Sequence, residues 1–180
     1  AGVEIDEAEA KRIIDAYRTT YTRIPDLWRS ADRALTAMSS GQAAQMDVPG
    51  IIFARPDQGF TLPNGLYVQY PELEKVTNEE GKANWQYKSK GLPIKLYGGK
   101  VVENVCQAVA RCIIGEQMLR IAKRYKVVLT VHDAIGIVAR QEEADEARAF
   151  VEACMSWRPK WAQALPLACE SGMGATYGDC

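Results

Sequence analysis

Lys126-Val127-Val128-Leu129-Thr130-Val131-His132-Asp133-Ala134-Ile135-Gly136-Ile137-Val138-Ala139 is the stretch on which the fold turns. Two runs rich in β-branched residues flank a polar pair, which predicts an antiparallel hairpin over about 126–140 with a carboxylate at its tip. Both runs are apolar at nearly every position, so both faces of the hairpin are expected to be covered while the carboxylate at its apex is exposed. A buried, unpaired carboxylate is costly and needs a cation, a basic side chain or hydrogen bonds. Two readings of Asp133 follow: a ligand for a divalent ion, or a turn residue bonding its own backbone, the commoner role at hairpin tips.

Outward from the hairpin, helical periods dominate. Upstream, Val102, Val105, Val109, Ile113, Met118, Leu119 and Ala122 mark the inward face of a helix over about 100–124. Downstream, a helix over about 141–156 turns Ala144, Ala147, Phe150, Val151 and Cys154 inward, and the tail from Leu165 to Cys180 combines a short strand with a glycine-rich end. At the other end of the chain, Asp6 with Glu9 forms a capping-box pattern with Ile5 as its staple, so a helix starts near residue 7. Ile13, Ile14, Tyr17 and Tyr21 give it an apolar stripe. Pro25 opens a second helix carrying Leu27, Trp28, Ala31, Leu35 and Met38, ended by Ser39-Ser40-Gly41. Between these helices and residue 100 lie β signals: Gly50–Ala54, a hairpin at Asn64-Gly65, and a second hairpin through Gly91 joining 85–90 to 94–97. The class is α+β, with antiparallel sheet and packed helices.

Composition narrows the function less than the motifs do. The 180 residues carry a formal net charge of −1, which does not announce a nucleic-acid binder. Distribution is more informative: residues 81–100 hold Lys82, Lys88, Lys90, Lys95 and Lys100 and no acid, interleaved with Trp85, Tyr87 and Tyr97. Arg120, Lys123, Arg124 and Lys126 form a second basic cluster, while acids gather at Glu142–Glu146 and near the N-terminus. Such segregation can turn a positive face to phosphates, although on composition alone a solvated lysine-rich hairpin is the simpler reading. Cysteines 106, 112, 154, 169 and 180 include no CxxC pair, and with a single histidine they give no zinc spacing. That cysteine usage fits a reducing cytoplasm, which is the expected location, and no apolar run spans a bilayer. The start AGVEIDEAEAKR has no initiator Met and no signal-peptide layout, and reads as a chain entered in mid-course.

Three motifs stand in order along the chain, the hairpin among them. Leu129-Thr130-Val131-His132-Asp133-Ala134 resembles motif C of family A DNA polymerases, Tyr97-Gly98-Gly99-Lys100-Val101-Val102-Glu103-Asn104-Val105-Cys106-Gln107-Ala108-Val109-Ala110-Arg111 is similar to the bacteriophage-type helix preceding it, and Glu170-Ser171-Gly172-Met173-Gly174 resembles the tail that closes these enzymes. The Glu4–Trp28 region looks like the helices that leave the fingers after motif B. Each motif alone is weak; the ordered set covers nearly the whole chain. The resemblance implies a partial right-hand polymerase fold, with residues 1–45 ending the fingers and 46–180 contributing a palm-type antiparallel sheet.

It also implies chemistry: template-directed addition of deoxynucleotides (dNTP) to a primer 3′ hydroxyl on primer–template DNA, with two magnesium ions stabilising the attacking and leaving oxygens. Asp133 would be a metal ligand and His132 would support the apex beside the primer terminus, or serve as a core histidine bonded to backbone. Lys100 and Arg111 would meet phosphates, and Gln107, with Asn104 and Glu103 beside it, would face the duplex. There the minor groove shows an acceptor at every correct pair, which a donor such as Gln107 can check without reading sequence.

Two departures matter. Ala134 stands where the family has Glu, and the family's other metal-binding aspartate and its nucleotide-gripping fingers helix are expected upstream of Ala1. With one ligand in place, the isolated chain is expected to be inactive and to need an upstream polymerase segment or partner chain. The alternative is a non-catalytic DNA-binding module or a subunit of a split polymerase. A phosphohydrolase built on a His–Asp dyad needs more histidines than His132. A cysteine hydrolase using Cys106 or Cys112 would draw on residues of an apolar helical pattern, expected in the core.

Overall fold

In a computed structural model describing residues 5–46, 52–77, 81 and 83–180, the mixed class is as expected: helices with strands that pair antiparallel throughout. The described strands form three separate sheets of four, three and two strands. The chain divides into two compact units, Ala1–Cys106 and Gln107–Cys180.

The first unit opens with α1 (Glu7–Thr20), started as the sequence predicts by Asp6, whose side chain accepts the Glu9 N–H at 2.7 Å. Glu9 does not return the bond; its carboxylate takes Arg12 instead, at 2.6 and 2.8 Å. The stripe of Ile13, Ile14, Tyr17 and Tyr21 forms, with the two tyrosine rings 5.1 Å apart, but α1 buries none of its residues. Helix α2 (Arg23–Ser39) accepts Pro25 in its first turn, where no intrahelical N–H is missed. Its buried face is Pro25, Ser30, Ala31, Ala34, Leu35 and Met38.

Against α2 pack β1 (Ala44–Gln45) and β2 (Phe53–Arg55), which β3 (Gly59–Thr61) and β4 (Tyr67–Val68) extend to a four-stranded sheet. Of the expected strand at 50–54, residues 50 and 51 lie outside the described residues. The Asn64-Gly65 signal is used: Asn64 Oδ1 accepts the Leu66 N–H at 3.0 Å and Gly65 takes φ +84°. Next, β5 (Glu74–Thr77), β6 (Ala83–Ser89) and β7 (Leu92–Leu96) form the three-stranded sheet. The hairpin through Gly91 is there, with Lys90 and Gly91 both left-handed, the pattern that suits two-residue hairpins. Strand β5 was not legible in the sequence.

Helix α3 (Gly98–Ile121) is the longest element. Besides Gly98, its buried positions are Val101, Val105, Cys112, Ile113, Gln117 and Ile121, a heptad-like spacing that follows the predicted face in part. Two expectations fail here: Leu119 is 65% exposed and Ala122 is exposed, while Gln117 occupies the core position. Cys106, expected in the core with Cys112, is exposed.

In the second unit, β8 (Val127–Val131) and β9 (Ala134–Ile137) make the hairpin, and α4 (Ala144–Met155) follows a 3-10 turn at Gln141–Glu143. Ile121, Tyr125, Ala147 and Cys154 form the core, with Val127, Ile135, Ile137, Phe150 and Val151 packed on it. Gln117 donates from Nε2 to the Met155 and Trp157 carbonyls at 2.5 and 3.1 Å, satisfying acceptors that the end of α4 leaves open. Arg120 stacks on the Trp157 ring at 3.6 Å, and Trp161 Nε1 donates to Glu116 at 3.2 Å.

The expected strand in the tail is absent among the described residues. Gly172 and Gly174 instead let the chain hook back, since a Cβ on either would lie within 2.6 Å of Cys180 or Asp179. Thr176 and Asp179 close the hook as a capping box, and the hydroxyl of Ser171 donates to Glu152 on α4. Among the described residues, no helix is long and apolar enough to cross a membrane.

Candidate functional site

Asp133 sits where the sequence puts it. Val131 pairs with Ala134, so His132 and Asp133 alone form the turn between β8 and β9. Asp133 and His132 are both exposed. Neither makes a side-chain hydrogen bond or ion pair among the described residues. His132 adopts φ +52°, a left-handed conformation that glycine or asparagine holds more easily. Strain of this kind persists where the surrounding structure or a function requires it.

The hairpin corrects one expectation. Its two faces are not both covered: Val127, Ile135 and Ile137 pack on the core, but Val128, Leu129, Val131 and Val138 are exposed. A two-stranded sheet with one face on a helix leaves its other face and both edges open. The carboxylate therefore stands in water, which solvates it, and no counter-charge is demanded by burial.

Helix α3 carries the other candidates. Lys100, Glu103, Gln107 and Arg111 recur at three- and four-residue steps, which places them along one face of a helix. Glu103, Gln107 and Arg111 are exposed. In the first unit, Lys100 Nζ reaches both carboxylate oxygens of Glu103, at 2.9 and 3.0 Å. That bond, first among the causes, lifts the lysine above its ordinary value. Asn104 has a packing role: its amide donates to the Tyr70 hydroxyl at 3.1 Å. Tyr70 meets Phe60 and Tyr87 edge-on, and burial pushes its hydroxyl up to about 12.

The glycines before Lys100 have a structural cause. A Cβ on Gly98 would lie 2.0 Å from the Trp28 carbonyl oxygen and 2.8 Å from Asp32 Oδ2, so the start of α3 lies directly against the backbone of α2. Asp32 Oδ1 accepts the Gly98 N–H at 2.7 Å, satisfying a donor that α3 cannot pair internally. No local pattern in the sequence marks Asp32, because its partner is 66 residues away.

The lysine-rich segment is less basic in space than in sequence. Lys88 pairs with Glu72 at 2.5 Å and Lys100 with Glu103, while Lys75 lies over the Trp85 ring at 5.4 Å. Lys82 lies outside the described residues. Trp85, 8% exposed, has too little free face for base stacking, and Tyr87 is half-buried against Tyr70. A shallow depression of about 270 Å³ on the β5–β6–β7 sheet is lined by Val76, Asn84, Trp85, Gln86 and Lys95 and holds none of the candidate residues.

The donor set limits what the apex can hold. Among the described residues no three His, Cys, Asp or Glu side chains gather to bind an ion, whereas magnesium takes a near-octahedral set of oxygens. The residues present do not by themselves fit a two-magnesium centre: Asp133 is a single carboxylate at the turn.

The chain is similar to a DNA polymerase of Bacillus phage SP02, at 29% identity over 182 aligned positions. The alignment covers 91% of this chain and 26% of that protein, so the chain spans about a quarter of the relative's length. No protein-family model matches the chain, and no solved structure does.

Proposed function

We propose that these residues form part of a family A DNA polymerase of the bacteriophage type, with 1–45 ending the fingers and 46–180 belonging to the palm. The observation that carries the reading is the similarity to a phage DNA polymerase along nine-tenths of the chain. The order of the motifs and the exposed carboxylate at a two-residue hairpin turn agree with it.

In this reading Asp133 contributes one carboxylate to a magnesium site whose remaining ligands the described residues do not supply. His132 shapes the apex. Lys100 and Arg111 meet backbone phosphates, and Gln107 probes the minor groove near the primer end. Glu103 acts through Lys100, holding its ammonium along the helix. Asn104 acts through Tyr70, fixing the helix on its own unit. Primer–template DNA and a deoxynucleoside triphosphate are the ligands, and catalysis needs a polymerase segment that supplies further carboxylates.

Fluorescence anisotropy with a labelled primer–template duplex, followed by primer extension, tests this. Binding that weakens steeply with salt is expected, with no incorporation by the chain alone and incorporation on adding a separately expressed polymerase segment that bears the other carboxylates. Asp133→Asn should abolish the restored activity and leave duplex binding intact. Robust extension by the chain alone would overturn the one-ligand reading; absence of duplex binding would overturn the assignment itself. Salt-sensitive binding without rescue is the outcome that favours a non-catalytic DNA-binding module.

A further inference from the structure

We infer that Asp32 is a positioning residue that sets how α3 is seated on α2, and thereby where Lys100, Glu103 and Asn104 are presented. The part of this that concerns DNA rests on the reading given above. Trp28 and Asp32 stand one helical turn apart on α2 and together make the seat. Trp28 contributes a backbone carbonyl against which only a glycine fits, and Asp32 contributes the acceptor for the first N–H of α3. Lys100 and Asn104 follow within the next two turns, so a change in the seat is carried to them rigidly. Asn104 is also held at Tyr70, which leaves the seat as the second fixed point of this end of α3.

The electrostatics agree with positioning more than with stabilisation. A carboxylate at a helix N-terminus is ordinarily favourable. Here burial, the largest influence, pushes the Asp32 carboxyl up, ahead of the opposing pulls of the Gly98 N–H and the Lys75 charge. Desolvation thus outweighs what the charge gains. The acceptor oxygen matters for where it holds the backbone, and an uncharged acceptor of the same shape should serve.

The test compares Asp32→Ala with Asp32→Asn in the full chain. In Asp32→Ala, amide exchange at Gly98 should quicken by about tenfold, the amide shifts of Lys100 to Asn104 should move, and duplex affinity measured well below the melting temperature should fall roughly fivefold. Asp32→Asn should resemble wild type in all three and melt no lower. Unchanged Gly98 exchange in Asp32→Ala would overturn the inference. So would faster exchange with unmoved shifts and unchanged affinity, since a residue that only stabilises the fold lowers the melting temperature and leaves the folded chain's affinity alone. Should Asp32→Ala fail to fold, Asp32→Glu keeps the charge but displaces the acceptor, and is expected to change the same readouts in the same direction by a smaller factor; wild-type values in it would refute the inference. If wild type binds no duplex, the polymerase reading fails, while exchange and amide shifts still decide the seat.

Discussion

Replacing Gln117 by leucine should be among the most damaging single changes in the second unit. The side chain is 2% exposed, and its amide serves the Met155 and Trp157 carbonyls at the end of α4. Leucine fills nearly the same volume with no donor, so two part-buried acceptors lose their partner. Each orphaned group costs roughly 1–3 kcal/mol, partly offset by the apolar side chain, which gives a net loss of about 2–4 kcal/mol. For a chain of this length that lowers the melting temperature by roughly 5–15 °C. Alanine should cost less, because the space it opens can admit a water that bonds the carbonyls. Glutamate should cost at least as much as leucine at neutral pH, since its oxygens face oxygens, and should recover in acid as the protonated group regains a donor. Urea titration followed by tryptophan fluorescence reads this locally, because Trp157 and Trp161 lie in the same segment. A loss below about 0.5 kcal/mol for Gln117→Leu, or alanine proving worse than leucine, would refute the reasoning.

Three further outcomes are expected. Under the polymerase reading, Arg111→Ala and Lys100→Ala each reduce the salt dependence of duplex binding by about one phosphate's worth, with a smaller affinity loss for Lys100 because Glu103 already holds its ammonium; equal slopes for wild type and both variants in anisotropy titrations would contradict this. His132→Gly removes the side chain from a left-handed position and should leave stability unchanged or raise it by up to about 1 kcal/mol, as chemical denaturation would reveal; a clear loss would mean the imidazole makes contacts that outweigh the strain. Tyr70 should ionise near 12, not at its ordinary 10.0, because burial leads and Tyr87 adds to it while the Asn104 bond works against. A folded value above the unfolded one means that this stabilisation is complete below pH 10 and is lost as pH rises through 12. Alkaline unfolding tracked with tyrosinate absorbance should steepen in that window in wild type and flatten in Tyr70→Phe.

Much of the local structure was legible in the chain. Period and punctuation mark α1 to α4, the Asn64-Gly65 and Lys90-Gly91 turns, and the hairpin with Asp133 at its apex, because each is specified by residues within a few positions of one another. The candidate site was legible only as an ordered set of motifs on α3 and the β8–β9 turn. Strand β5 escaped because Glu74–Thr77 has no alternation strong enough to mark it, and it exists by pairing with β6.

Tertiary structure decided everything that depends on a distant partner. Periodicity gave α1 an apolar stripe but could not say whether anything covers it, and in the described residues it remains exposed. Apolar runs suggested a hairpin buried on both faces, yet only one face meets the helices. A run of lysines without acids lost part of its charge once Glu72 came to Lys88. Gln117 and Asp32 look like surface residues in one dimension, and each is committed to backbone groups far along the chain. Local sequence determines backbone conformation through short-range sterics and hydrogen bonding, whereas burial and charge pairing are settled by which segments the folded chain brings together.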